Sequence, residues 1–282
     1  MLISALYTNK FYGDIKNGSE KGTICVTKIE EQMKYISFLK EVVKRDIKRK
    51  YYKSVLGVLW TVLNPLLSML VMTLVFSTLF KRNIDNYPIY MLCGQLIFNF
   101  MSGSSRQSLG AILGNAGYIR SIYIPKYIFV LSRVVEGFVD LLFSLSALVI
   151  VMVFTHAKFT LNLLMLPTLL VLVFVFTLGL SLILATYGTF FRDLHHLYGI
   201  FTTLWMWISA IFYPVTIVPS SYRFLLDLNP AIHYIGIMRA ICYEGIMPTE
   251  KSLIIATCYA VLMLLMGISV FKANENKFFL YV

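Results

Sequence analysis

The chain has 282 residues, 58% of them hydrophobic and 14% charged, with a mean hydropathy of +0.75 and a net charge of +11. That balance excludes an ordinary soluble domain, and the basic residues fall where membrane topology would put them rather than on a nucleic-acid-binding face. Cys25, Cys93, Cys242 and Cys258 show no CxxC spacing, so neither a zinc site nor a disulfide framework is indicated.

Residues 1–28 are polar and read as a loose cytosolic tail. The first unbroken apolar run begins at Val55, so no secretory or transit signal is expected. Over 29–53 the apolar residues Ile29, Met33, Ile36, Leu39, Val43, Ile47 and Tyr51 recur at three- and four-residue steps, with Lys40, Lys44, Arg45, Lys48 and Arg49 opposite. This spacing predicts an amphipathic helix that lies in the headgroup layer or packs on protein.

Residues 54–282 hold runs of about 18 or more apolar residues, long enough to cross a hydrocarbon core as helices. Six spans are expected: 55–80, 87–113, 127–154, 161–187, 197–218 and 253–271. The second is diluted by Gly94, Gln95, Asn99, Ser102, Gly103, Ser104, Ser105, Arg106 and Gln107, so it should face protein or water rather than lipid. Residues 219–251, broken by Asn229-Pro230, suit two short re-entrant helices. The fold class is therefore all-α integral membrane: six transmembrane helices, an N-terminal interface helix, and re-entrant helices between spans five and six. With both termini in the cytosol, 18 of the 25 Lys and Arg residues fall on the cytosolic side and 6 on the other, as the positive-inside rule requires.

Arg133, Glu136 and Asp140 share one face of the third span, which reads as an ion pair or, through Asp140, a proton relay. His195 and His196 beside Asp193 point in different directions on a helix and do not chelate one ion together. No GxxxxGK[ST] occurs, so work against a gradient requires ATP hydrolysis on another chain. Trp60, Phe98, Trp205, Trp207, Phe212 and Tyr213 lie within spans, as interface anchors and packing or as a stacking surface for sugar rings.

Four stretches together resemble one family. They are RKYYKSVLGVLWTVLNPLL (49–67), RSIYIPKYIF (120–129), FFRDLHHLYGIF (190–201) and LNPAIHYIGIMRAI (228–241). Their order and spacing are similar to those of the membrane subunit of type-2 ATP-binding-cassette exporters for O-antigen, capsule and teichoic acid polymers. The resemblance implies a transporter subunit that is not itself an enzyme, in the bacterial cytoplasmic membrane. It further implies a homodimer bound to ATPase subunits that carry ATP and Mg, with a lipid-linked glycan as substrate.

On that likeness the cytosolic loop 114–126, with Arg120, Tyr123, Ile124, Pro125 and Lys126, couples to the ATPase. Arg45, Lys48, Arg49, Lys50 and Lys53 would meet a lipid diphosphate, the six aromatics above would line the path, and Asn229, Pro230 and Arg239 would form an outer gate. The rival readings are a type-2 exporter of drugs or lipids, a proton-coupled secondary transporter using Asp140 and Glu136, and a membrane-embedded lipid-sugar enzyme.

Overall fold

The computed structural model describes residues 20–52, 54–79, 84–121, 124–157 and 159–281, the side chains of 20–33, 77–79, 220 and 225 excepted. The chain divides into two units, Met1–Glu41 and Val42–Val282. Ten α-helices are present among the described residues: α1 Glu20–Tyr51, α2 Leu59–Thr73, α3 Tyr87–Ser108, α4 Ala116–Ser121, α5 Tyr127–Phe154, α6 Leu166–Phe190, α7 Leu194–Ile208, α8 Arg223–Asp227, α9 Pro230–Arg239 and α10 Glu250–Asn274. No strand occurs among these residues. Helix α1 starts at Glu20, inside the expected tail, because the apolar stripe that announces it begins only at Ile29.

Among the described residues four helical stretches are long and apolar enough to cross a membrane: Leu59–Phe76, Tyr127–Phe154, Leu161–Phe190 and Glu250–Leu280. The other two expected spans differ for separate reasons. Helix α3 is 22 residues, about 33 Å at 1.5 Å per residue, but carries the polar residues noted above. It packs against α2, α5, α6, α7 and α9 and is buried over most of its surface. Helix α7 has only 15 residues, about 22 Å, and stops at Ile208 instead of continuing to Val218.

Several hydroxyl groups inside these helices are satisfied locally. Ser105, Ser108, Thr177 and Thr186 each donate to the carbonyl four residues back at 2.6 to 2.9 Å, which removes the penalty of a free polar group in an apolar setting. Glycine sets two close approaches. A Cβ at Gly267 would run into the backbone of Gly179, and one at Gly179 into that of Met263, so α6 and α10 cross with their backbones in contact.

Pro65 lies within α2 and is buried. Proline has no N–H, so the Thr61 carbonyl four residues earlier loses its helical partner. Ser144 of α5 takes its place, its one hydroxyl hydrogen shared between Thr61 O at 2.9 Å and Asp140 O at 2.7 Å. The proline thus creates an acceptor that ties α2 to α5.

Candidate functional site

Between α2, α3 and α5, beside the last turn of α1, lies an open cleft of about 280 Å³. Trp60, Asn64 and Pro65 come from α2, and Asn99, Gly103, Ser104 and Gln107 from α3. Helix α5 adds Gly137, Asp140 and Ser144, and Lys50 and Tyr51 stand at one end. The Trp60 ring is 40% exposed. Ser104 is only 1% exposed and its Oγ has no hydrogen-bond partner among the described residues. The Ser104 Oγ is closed off from solvent and turned toward Gly137 of α5, where a Cβ would strike it, so this hydroxyl belongs to the α3–α5 packing behind the cleft. An indole face, three carboxamides, hydroxyls and a carboxylate make a lining suited to a sugar ring.

At that end of the cleft six charges meet. Arg133 Nη1 lies 3.0 Å from Asp46 Oδ2 and 3.2 Å from Glu136 Oε2, and Arg45 Nη2 lies 2.8 Å from Asp46 Oδ1. Lys50 pairs with Asp140, and the Tyr51 hydroxyl donates to Asp140 Oδ1 at 2.8 Å. Three cations are paired with three anions here, and Arg49 lines the same depression. Asp46 and Glu136 are buried, and removing one partner of such a buried pair strands the other charge. Burial and then the bond to Asp140 push the Tyr51 hydroxyl pKa up, so it stays protonated and remains a donor.

The cluster determines which of the expected phosphate-binding residues remain open. Arg45 is held by Asp46 and stacks 5.3 Å from the Tyr118 ring, and Lys50 is held by Asp140. Lys48 and Arg49 are exposed. Lys53 lies outside the described residues, as does Tyr123 of the expected coupling loop.

In that loop Arg120 is exposed on the six-residue α4, and Ile124 and Pro125 are half-buried. Lys126 turns inward: it is 6% exposed, donates to the Glu275 carbonyl at 2.6 Å and lies 4.0 Å from the Phe279 ring. Burial pushes its pKa down, opposed by the Glu275 carboxylate. Its contacts tie the start of α5 to the turn that follows α10.

The six aromatics do not form one surface. Phe98 and Trp205 are buried edge to face at 5.2 Å, and Phe212 is buried against Phe76 at 5.9 Å and Trp207 at 5.3 Å. Trp205 Nε1 donates to Asn229 Oδ1 at 2.8 Å, and Tyr213 donates to the Trp207 carbonyl at 2.6 Å. Of the six, Trp60 alone lines the cleft.

The early end of α7 has a visible cause. Ala210 takes a left-handed φ of 49° after Ser209, which ends the helix and frees carbonyls. Arg239 collects them, Nη2 donating to Ala210 O at 3.0 Å and Ile211 O at 2.8 Å, with Nε to Tyr90 O at 3.3 Å. Its guanidinium lies 3.5 Å from the centre of the Tyr90 ring. Tyr87 and Tyr90 donate to the Phe212 and Tyr213 carbonyls at 3.1 and 3.0 Å. Asn229 caps α9, accepting from Ala231 N at 3.0 Å, while Pro230 fills the first helical position. The three expected gate residues are therefore bound into the junction of α3, α7 and α9, with Arg239 only 8% exposed.

Arg133 with Glu136 was visible in the sequence as a three-residue spacing on one helix face. The partners of Asp140 were not, since Lys50 and Tyr51 lie about ninety residues away in the chain. The Ser144 bond to Thr61 has a signal in hindsight, an in-helix proline opposite a serine, but no local spacing joins them.

A family model described as ABC-2 type transporter matches residues 38–243. The chain belongs to the ABC-2 type transporter family. The O-antigen export system permease protein RfbA of Myxococcus xanthus is 30% identical over 253 residues, 89% of this chain and 97% of that protein. A protein of the same description from Klebsiella pneumoniae is 24% identical over 238 residues, 84% of this chain and 92% of its own. The polysialic acid transport protein KpsM of Escherichia coli is 24% identical over 236 residues, 82% and 91% respectively. The stretch matched to the ABC-2 family contains the cleft, the ionic cluster and the Arg239 junction, and ends before α10.

Proposed function

We propose that this chain is the transmembrane subunit of an ATP-driven exporter that moves a lipid-linked polysaccharide across the cytoplasmic membrane. The cleft beside Trp60 carries the reading, because its carboxamides, indole and carboxylate are the groups a glycan uses. Relatives named for O-antigen export and polysialic acid transport, similar over more than four-fifths of the chain, support the same substrate class.

In this reading two copies of the chain assemble with two ATPase subunits, which bind ATP and Mg. Both termini face the cytosol. Lys48, Arg49 and Lys53 meet the diphosphate of the lipid carrier at the cytosolic leaflet through charge-assisted bonds, while Arg45 and Lys50 hold the interface helix to α5. Arg120, Tyr123, Ile124 and Pro125 receive the closure of the ATPase, and Lys126 passes it to the start of α5 as a rigid-body shift. The junction at Arg239, Asn229 and Pro230 holds the far end of the path, where a change in the Arg239 contacts accompanies opening.

The test is affinity purification from the native cells in mild detergent. The reading predicts recovery of an ATP-binding-cassette subunit in about equal amount. A chain that is recovered alone, repeatedly and in several detergents, contradicts it.

A further inference from the structure

A second cavity lies away from the cleft, between the start of α5, the middle of α6 and the C-terminal half of α10, beside the segment that leads into α5. It has a volume of about 460 Å³. Leu131 of α5, Leu178 and Leu182 of α6, and Leu264 and Ile268 of α10 form its walls. The backbone contact at Gly179 and Gly267 holds two of these walls together, because neither position has room for a side chain. The crevice is therefore a built feature of the packing.

Its mouth carries one charge of each sign. Lys272 and Glu275 both line it, Lys272 exposed and Glu275 half-buried, and neither enters an ion pair among the described residues. Lys126, on which the Glu275 carboxylate acts at longer range, gives its hydrogen bond to the Glu275 carbonyl and not to the carboxylate. The helices around the crevice are among those long and apolar enough to cross a membrane.

We propose that this crevice is a binding site for a phospholipid with a primary ammonium headgroup, of the phosphatidylethanolamine class. One acyl chain fills the leucine-lined walls. Lys272 meets the phosphate and the Glu275 carboxylate accepts from the ammonium. The mouth selects among lipids by its charges. A choline headgroup has no N–H to give Glu275, and an anionic glycerol headgroup places no cation there. The same turn carries the Glu275 carbonyl that holds Lys126, so the bound lipid sits against the contact that joins the loop before α5 to the chain after α10.

The test uses the full transporter complex in nanodiscs made from equal parts phosphatidylethanolamine, phosphatidylcholine and phosphatidylglycerol, with retained lipid read by native mass spectrometry after delipidation. The expected result is about tenfold enrichment of the ethanolamine lipid over the choline lipid, the discrimination of roughly one charge-assisted bond. Glu275→Gln brings the two to parity, and Leu178→Trp fills the crevice and lowers total retained lipid. Parity in the unaltered complex, or enrichment of the glycerol lipid, overturns the proposal. Because that reading needs no variant, misfolding of a variant leaves the proposal testable. Lipid retention does not depend on which solute is exported, so its failure is separate from failure of the export reading.

Discussion

Removing the Ser144 hydroxyl should destabilise the protein only because Pro65 is present. Ser144→Ala leaves the Thr61 carbonyl without a donor at a position where proline has already removed the helical one. A buried acceptor stripped of its partner costs about 1–3 kcal/mol; Thr61 is partly open, so about 1–1.5 kcal/mol is expected. Pro65→Ala restores an N–H that can close the bond to Thr61. In that background Ser144→Ala loses only the bond to Asp140 O, a carbonyl inside α5, and should cost less than about 0.5 kcal/mol. The double-mutant cycle then gives a coupling of about 1 kcal/mol. The assay is thermal unfolding of the detergent-solubilised complex, followed by fluorescence-detected size exclusion, where the difference amounts to about 2–4 °C. Equal losses from Ser144→Ala in the two backgrounds would refute the pairing of serine with proline.

Trp60→Ala should cut glycan export several-fold at unchanged protein abundance, whereas Trp205→Ala, which removes a buried ring and one of the bonds to Asn229, should lower both; quantitative blots alongside the export assay separate the two. Lys50→Asp and Asp140→Lys should each reduce export, and the charge-swapped double variant should recover most of it; a double variant no better than either single one removes the pair from the account. Arg239→Lys keeps the charge but cannot span Ala210, Ile211 and Tyr90, so it should destabilise by about 2–3 kcal/mol, seen as reduced yield of folded protein, while Arg223→Lys on the exposed surface should change nothing.

The helical membrane fold was readable because its main signal, long uncharged runs, is local. The weak hydropathy of the second span was informative in the same way. Asn99, Ser104 and Gln107 are too polar for lipid, and in the structure α3 is the helix surrounded by others, with these three residues lining the cleft. The end of α7 was not readable, because Phe212 and Tyr213 extend an apolar run. What stops the helix is an arginine 28 and 29 residues further on, taking the carbonyls of Ile211 and Ala210.

The candidate site follows the same division. Residue chemistry named Trp60 as one of six candidate aromatics and the family resemblance named Lys50 and Arg239, but composition cannot tell an aromatic that faces a cleft from one that packs behind it. Phe98, Trp205 and Phe212 look like Trp60 in the sequence and differ only in what surrounds them. Lys126 was placed in the coupling loop by the family resemblance, and only its fold position reveals that it anchors the start of α5 to the turn after α10.

The most direct test of the central claim is reconstitution of this chain with its ATPase partner in proteoliposomes, loading a lipid-linked glycan on the ATPase side and measuring the glycan that becomes accessible to a glycosidase on the other side. The account predicts appearance of glycan that requires ATP hydrolysis and is several-fold slower with Trp60→Ala. Movement without ATP, or ATP hydrolysis by an intact complex with no glycan crossing, would contradict it.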